Sequence, residues 1–225
     1  MNIAVIIPVV QAKMGNDVLR QLNAPVTRKP DQVIIIDNTS EGFVSPIHAS
    51  QQIRPSGKSP MPVNASWKLG FSHLRTDIDI VCVINDDIIV NPDFLRRAEN
   101  LFDTKLNCGI GITAPGNRDK VSSHFTTLNR CHKGKRRSGW AFFIRRTVLD
   151  KIPPIPSQLV QFYGDAWLCE WTGRLGYYLY FMVDNIVYHY CGTTFRSGSL
   201  NKSRIQRARE RVSYYNLLKE YNNGV

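Results

Sequence analysis

Residues 80–87 read Ile-Val-Cys-Val-Ile-Asn-Asp-Asp, an apolar run that passes directly into two acidic side chains. Similar apolar runs occupy 3–10 and 33–36, and none of the three alternates with polar residues. Such continuous β-branched runs are typical of strands buried on both faces of a parallel sheet. Helical patterns separate or follow the runs, near 14–23, 64–75 and 93–103. The chain is therefore predicted to be an α/β protein, with a Rossmann-like, doubly wound mixed sheet in a single domain.

Polar and acidic side chains stand where two of these strands end. Asp37 ends the second run, and Asn85, Asp86 and Asp87 end the third. In doubly wound sheets, ligands bind at the carboxyl ends of the strands. Adjacent carboxylates repel each other unless they share a cation, so Asp86 and Asp87 fit either a divalent ion or a turn before a helix. Asp37 fits either a ribose contact or a turn.

The composition describes a folded, strongly basic protein. The 225 residues include 29 Lys and Arg against 18 Asp and Glu, a formal net charge of +11, and a hydrophobic fraction of 43% excludes wholesale disorder. No stretch reaches the roughly 20 apolar residues of a membrane span, and the start lacks the basic region of a signal peptide, so a cytoplasmic protein is expected. The positive charge predicts a polyanionic partner: nucleic acid, an acidic membrane or a phosphorylated substrate.

The five cysteines are odd in number and widely spaced, and no two form a Cys-x-x-Cys pair. Cys131 stands beside His132, but no second ligand pair follows at the spacing of a zinc finger. The pattern therefore predicts free thiols in a reducing cytosol and no disulfide framework.

Two motifs in the second half of the chain carry candidate catalytic groups. Asp165 follows Gly164 among aromatic residues, where loss of water raises the pKa of a carboxylate toward that of a general base. The alternative is that Asp165 caps a helix over 166–174. His189 ends a strand-like stretch that begins with an apolar run at 177–183, and it fits either a metal ligand or a packed ring.

The order of these motifs resembles that of the GT-A fold glycosyltransferases, specifically the family 2-like inverting enzymes, over residues 3–195. The Asn-Asp-Asp motif at 85–87 is similar to the metal-binding DxD region of that family. The stretch 162–171 is similar to the Glu-Asp-x-Asp-Leu-x-x-Arg segment, with Gly164 and Trp167 in place of acidic residues. Residues 188–192 resemble the closing His-x-x-Gly motif, and 139–146 resemble the acceptor-side segment.

This resemblance implies a role for each matching residue. Asp165 is expected to be the catalytic base, and Asp87 and His189 are expected to bind Mn²⁺ or Mg²⁺. A nucleotide diphosphate-sugar, with UDP-sugar favoured, is expected beside Pro8, Val9, Asp37, Asn64, Asn85 and Asp86. The acceptor is expected beside Gly139, Trp140, Arg136 and Arg137.

The resemblance also implies a division of the chain. Residues 1–199 are expected to form the glycosyltransferase domain, in which 1–92 bind the nucleotide-sugar and 93–199 bind the acceptor. Apart from the resemblance, the helical pattern at 200–221 predicts that residues 200–225 form a basic C-terminal helix packed on that domain. Its predicted apolar stripe consists of Ile205, Ala208, Val212, Tyr215 and Leu218.

Two basic clusters bear on the acceptor: residues 118–146 contain nine Lys and Arg, and residues 196–211 contain six. Basic clusters of this kind bind the phosphates of DNA, and a base drawn out of the duplex would bring its hydroxymethyl group to Asp165. The favoured acceptor is therefore a 5-hydroxymethylpyrimidine in DNA, as in the viral DNA-modifying glycosyltransferases that the chain resembles. A viral enzyme of this kind acts in the host cytoplasm. The alternatives are a lipid-linked or cell-surface polysaccharide acceptor at an acidic membrane, and a nucleic-acid-binding module on a degenerate scaffold.

Overall fold

A computed structural model describes residues 1–25, 27–47, 50–56, 61–116, 126–128, 139–190 and 200–223. Its strands are β1 (Ile3–Val9), β2 (Gln32–Asp37), β3 (Ser50–Ile53), β4 (Ile80–Ile84), β5 (Ile88–Val90), β6 (Cys108–Pro115), β7 (Thr126–Leu128), β8 (Ala141–Arg145) and β9 (Tyr178–His189). Its helices are α1 (Ala12–Leu22), α2 (Val63–Phe71), α3 (Phe94–Thr104), α4 (Arg146–Leu149), α5 (Gly164–Arg174) and α6 (Leu200–Asn223).

The strands of the described residues join one mixed sheet. Their order is β3-β2-β1-β4-β8-β6-β9-β5, and β7 pairs with β9. β1 runs parallel to β2 and β4, β8 is antiparallel to β4 and β6, and β9 is parallel to β6. The predicted α/β class with a mixed sheet in a single domain is confirmed.

Apolar cores lie on both faces of this sheet. In the central strand β1, Val5 packs on one face with α1 residues such as Leu19, and Ile6 packs on the other face with α2 residues such as Trp67. Every residue of β1 is buried, because helices cover the strand on both sides. This burial on both faces is the physical reason why polar residues do not alternate with apolar ones in the sequence of the strand.

The strand directions bring several chain segments to one edge of the sheet. β1, β2 and β4 are parallel, so Val9, Asp37 and Ile84 end at the same edge. β8 is antiparallel to β4 and begins there, with Ala141 opposite Ile84. β9, which is parallel to β6, ends there at His189. This edge carries the candidate site.

β9 is longer than the apolar run at 177–183 that predicts it. The strand continues to His189 because a register shift, at which residues 183–185 have no partner on β6, accommodates polar residues. Asn185 is buried at the shift and donates a hydrogen bond to the carbonyl of Phe94 (2.9 Å). Asp184 forms an ion pair with Arg97 (2.9 Å).

The face that α6 buries differs from the predicted stripe. Ile205 and Val212 are 54% and 61% exposed, whereas Glu210 and Tyr214 are buried. The prediction holds for Leu218, which packs against the core, and is wrong for Ile205 and Val212, because it counted aliphatic residues and missed the carboxylate and tyrosine rings that also contact the domain. Tyr221, for example, packs edge-on against Trp167 at a centroid distance of 5.5 Å. Among the described helices, none combines the length and the apolar character that crossing a bilayer requires.

The buried cysteines behave as core side chains. Burial raises the pKa of Cys82 well above its usual value and that of Cys108 to about 12, so both stay protonated thiols. Cys169 is also buried. Cys131 and Cys191 lie outside the described residues.

Candidate active site

A cavity of about 900 Å³ opens at the edge where the strands end, between the sheet, the start of α5 and one side of α6. It is lined by the predicted site residues Asn64, Asn85, Gly139, Trp140, Asp165 and His189. The structure therefore brings residues from five separate segments of the chain into one cavity.

Asp87 and His189 lie side by side at this edge. Asp87 Oδ1 is 3.0 Å from His189 Nε2. Strand pairing holds them together, because His189 pairs with Ile88, next to Asp87, and the N–H of Tyr190 donates to the Asp87 carbonyl (2.9 Å). The Trp140 ring stacks on the imidazole at a centroid distance of 4.9 Å. Both side chains are thus fixed in position.

These two side chains fit a divalent ion. A carboxylate oxygen and an imidazole nitrogen are ligands that such ions accept, with phosphate oxygens and water at the other positions. Within the described part of the chain, no three His, Cys, Asp or Glu side chains group closely enough to form an all-protein metal site. Asp87 and His189 therefore suit an ion whose remaining positions are filled by a diphosphate, and these two residues would hold that ion.

Asp86 has a different position from Asp87. Its Oδ2 accepts hydrogen bonds from the N–H groups of Val10 and Gln11 (2.7 and 2.8 Å). Burial raises its pKa to about 6, the two N–H donors oppose this shift, and the charge of Asp87 adds to it. Asp86 thus connects the end of β4 to the turn between β1 and α1.

Asp165 lies in the first turn of α5, and Tyr163 occupies the cap position. Asp165 Oδ1 accepts a hydrogen bond from the N–H of Ala166 (2.8 Å), where the positive end of the helix dipole stabilises a negative charge. Gly139 packs directly against it, since a Cβ at 139 would lie 3.0 Å from Asp165 Oδ2. The segment that resembles the acceptor side therefore contacts the predicted base.

The loop before α5 is held from two sides. Asn64 Nδ2 donates to the carbonyls of Leu159 and Phe162 (2.8 and 3.0 Å). From α6, the Glu210 carboxylate accepts hydrogen bonds from the N–H groups of Gln161 (3.1 Å) and Phe162 (2.7 Å). Tyr163, the next residue, adopts a left-handed conformation with φ 63°. These contacts determine where α5, and with it Asp165, begins.

Glu210 is a residue of the site region that the sequence does not predict. The signal available was that Glu210 is the one acidic residue among six basic residues in 196–211. A lone carboxylate in a basic segment ordinarily forms surface ion pairs, whereas this one is 1% exposed and bonded to backbone N–H groups.

The residues predicted beside the nucleotide are placed around the ends of β1 and β2. Asp37 is buried and accepts hydrogen bonds from Thr39 and from the N–H of Phe43 (2.9 Å). Burial raises the pKa of Asp37, but these hydrogen bonds outweigh it, and the net pKa is lowered. Val9 packs in the core, and Pro8 is buried in β1. Their contact with a nucleotide stays a prediction.

The basic cluster at 118–146 is only partly described. Arg136 and Arg137, predicted to bind the acceptor, lie outside the described residues. Arg145 lies at the far end of β8, where its guanidinium donates to the carbonyls of Cys108 and Phe102 (3.0 and 2.8 Å). Arg146 forms an ion pair with Asp150 (2.7 Å). The expectation that the whole cluster adjoins the acceptor side is wrong for these two, because β8 carries them to the opposite edge.

Comparisons with known proteins rest on structure, since no protein-family model and no curated protein sequence matches the chain. Residues 1–349 of S. aureus TarS align with a TM-score of 0.59 at 15% identity, covering 84% of this chain and 60% of that one. GalNAc-T7, solved with UDP, GalNAc and Mn²⁺, aligns with a TM-score of 0.61 at 10% identity, covering 84% and 43%. A197 from STIV aligns with a TM-score of 0.50 at 13% identity, covering 84% and 86%.

The chain spans 60% of the TarS fragment and 43% of GalNAc-T7. At such low identity, the likeness shows the fold and leaves the chemistry open. The mixed sheet, its strand order and these neighbours agree with one another, and the protein therefore has the GT-A fold of the glycosyltransferases.

Proposed function

We propose that this protein is a glycosyltransferase that moves a monosaccharide from a nucleotide diphosphate-sugar, preferably a UDP-sugar, to an acceptor hydroxyl. The observation that carries the proposal is the position of Asp165 and His189 in one cavity, with Asp87 3.0 Å from His189. The GT-A fold supports it, because TarS has been solved with UDP and GalNAc-T7 with UDP, GalNAc and Mn²⁺.

Asp87 and His189 would hold Mn²⁺ or Mg²⁺ beside the diphosphate. A divalent ion supplies positive charge that stabilises the leaving diphosphate. The protein prepares this place through the stacked Trp140 ring and through the pairing of β5 with β9. Asp86 fixes the neighbouring turn through Val10 and Gln11.

Asp165 acts as the general base. It takes the proton of the acceptor hydroxyl while the oxygen bonds to the anomeric carbon and the bond from that carbon to the diphosphate breaks. The other carboxylate among the described lining residues, Glu170, forms an ion pair with Arg174 (3.1 Å). With one base and no second carboxylate available as nucleophile in this lining, a single displacement follows, and it inverts the anomeric configuration.

The proposed acceptor is a 5-hydroxymethylpyrimidine base in DNA. The formal charge of +11 and the arginines of α6 beside the cavity support a polyanionic acceptor. The exposed Ile205 and Val212 on α6 favour the second candidate, a lipid-linked or cell-surface polysaccharide acceptor at a membrane.

The variant Asp165→Asn tests the base. It keeps the size of the side chain and removes the proton acceptor, so transfer should fall about 10²- to 10⁴-fold while UDP binding persists. Transfer is measured as mass added to nucleosides when the protein is incubated with several nucleotide-sugars and hydroxymethylated DNA. UDP binding is measured by calorimetry.

Asp103→Asn is the matched control, because Asp103 is exposed on α3 and does not line the cavity. It should transfer sugar at the unaltered rate. Full turnover by Asp165→Asn removes Asp165 from the mechanism. An unaltered protein that neither binds UDP nor consumes any nucleotide-sugar would instead be a binding module on a degenerate scaffold.

A further inference from the structure

One side of α6 presents a row of exposed polar residues to the cavity. Arg207, Arg211, Tyr215 and Lys219 follow one another at four-residue intervals, which places them on one face of the helix, and all four line the cavity. The same cavity holds Asp165. A cleft lined by charges of one sign focuses the electric field and attracts ligands of the opposite charge.

The cations of this row are not neutralised by the described part of the chain. No described carboxylate forms an ion pair with Arg207, Arg211 or Lys219, whereas Arg174 in the same cavity is paired with Glu170. Glu210, the acid nearest to them along the helix, bonds instead to the backbone N–H groups of residues 161 and 162.

Arg207 and Arg211 are positioned beside the loop that precedes Asp165. The Arg207 guanidinium lies over the Phe162 ring, 4.8 Å from its centroid. Such stacking occupies the flat face of a guanidinium, while phosphate binds along its N–H edge. Burial raises the pKa of the Tyr163 hydroxyl, and the positive charges of Arg211 and Arg207 oppose that shift, which places both charges near this residue.

We propose that Arg207 and Arg211, with Lys219, form a phosphate-binding subsite for a phosphodiester-linked acceptor, here a nucleic acid strand. The subsite rests on the proposed function, since it would present the acceptor hydroxyl of the strand to Asp165. The concave shape favours a strand over a membrane surface, because a flexible chain can enter a cavity of about 900 Å³ and a flat bilayer cannot. The ring of Tyr215 in the same row offers a face on which a base can stack.

The test uses a fluorescent single-stranded oligodeoxynucleotide that contains 5-hydroxymethylcytosine, titrated at several salt concentrations and followed by anisotropy. The double variant Arg207→Ala/Arg211→Ala should bind about tenfold more weakly or worse at low salt. The slope of log affinity against log salt concentration should become less negative by about 1.4, because each lost phosphate contact removes about 0.7 from it. Arg207→Lys/Arg211→Lys keeps the charge and should retain most of the slope, which separates lost contacts from a damaged fold.

Arg209→Ala is the matched control. It removes one charge from the same helix, but position 209 lies about 200° around the helix from Arg207 and does not line the cavity. This control should bind the oligonucleotide with unaltered affinity and slope. Equal losses in Arg209→Ala and the double variant would mean that only net charge matters, and would overturn the subsite.

UDP calorimetry on the same samples separates this proposal from the proposed function. The double variant should bind UDP like the unaltered protein. If UDP does not bind but the oligonucleotide results are as expected, the transferase function fails and the subsite stands. The subsite is overturned if the double variant binds the oligonucleotide normally, if no sample binds it, or if the arginines are needed for binding to anionic phospholipid vesicles instead.

Discussion

Gly164 packs so closely against Asn64 that no side chain fits at this position. A Cβ atom at 164 would lie 2.1 Å from Asn64 Oδ1. Asn64 cannot simply move away, because its Nδ2 holds the carbonyls of Leu159 and Phe162 and the side chain is buried. The glycine that stands where the resembled family has an acidic residue is therefore a packing requirement of this chain.

Replacement of Gly164 by alanine should displace Asn64 and with it the start of α5. The expected result is a loss of about 1–3 kcal/mol of unfolding free energy, together with a fall in sugar transfer, because Asp165 is the next residue. Urea unfolding measures the first effect, and the transfer assay measures the second.

Gly173→Ala on the same helix is the matched control. A Cβ there would meet no atom within 4 Å, so the substitution should leave transfer unchanged and add about 0.5–1 kcal/mol to stability. Equal behaviour of the two variants would contradict the packing argument.

Among the elements, α6 carries side chains with two different tasks. Glu210 and Tyr214 are buried against the domain, and Glu210 holds the loop before α5. Arg207 and Arg211 are exposed and line the cavity, on the side of the helix where Tyr214 also lines it. Because all four belong to one helix, the position of the arginines depends on the bonds made by Glu210.

Glu210→Gln tests this dependence. One oxygen, Oε2, accepts from the N–H groups of both Gln161 and Phe162, and a glutamine carbonyl can take its place. The NH2 group then replaces Oε1, the charge is lost, and the hydrogen bond from Gln206 is lost with it, so the anchor is weakened. Stability should fall by about 1–3 kcal/mol, and sugar transfer should fall while UDP affinity stays unchanged, since the donor side lies at the strand ends.

Glu220→Gln removes the same charge from an exposed position of α6 and serves as the control. It should change neither unfolding by urea nor transfer. Normal transfer by Glu210→Gln would show that the loop keeps its position without the carboxylate.

For the whole molecule, the part of the site expected to bind the nucleotide-sugar joins segments that are far apart along the chain. Asp86 connects β4 to the turn after β1, and Asp87 contacts His189 at the end of β9. A ligand that binds all of these segments binds the folded state only. Donor binding should therefore stabilise the entire domain.

UDP together with Mn²⁺ should raise the melting temperature more than either one alone. At a hundredfold excess over the dissociation constant, the stabilisation is about 2.7 kcal/mol. His189→Ala should lose the rise in melting temperature that depends on Mn²⁺. The control is His73→Ala, because His73 bonds to the Leu69 carbonyl on α2 and does not line the cavity. This control should keep the Mn²⁺-dependent rise. An identical Mn²⁺ response in both variants would remove His189 from the metal site.

The sequence by itself determined the α/β class, the buried strands and the candidate residues Asp87, Asp165 and His189. These conclusions depend on local patterns, because an apolar run without alternation reports double burial, and polar residues at strand ends collect at one edge. The extension of β9 past its apolar run was not visible, since the shift at 183–185 depends on contacts with α3.

Only the tertiary structure decided which face of α6 is buried and what Glu210 does. Glu210 bonds to Gln161, 49 positions away, and no local pattern encodes a contact over that distance. Arg145 and Arg146 adjoin the acceptor segment along the chain, but β8 runs antiparallel and carries them to the far edge. Neighbours in sequence predict local conformation, whereas the direction of each strand and the partner of each helix determine which charges meet in the cavity.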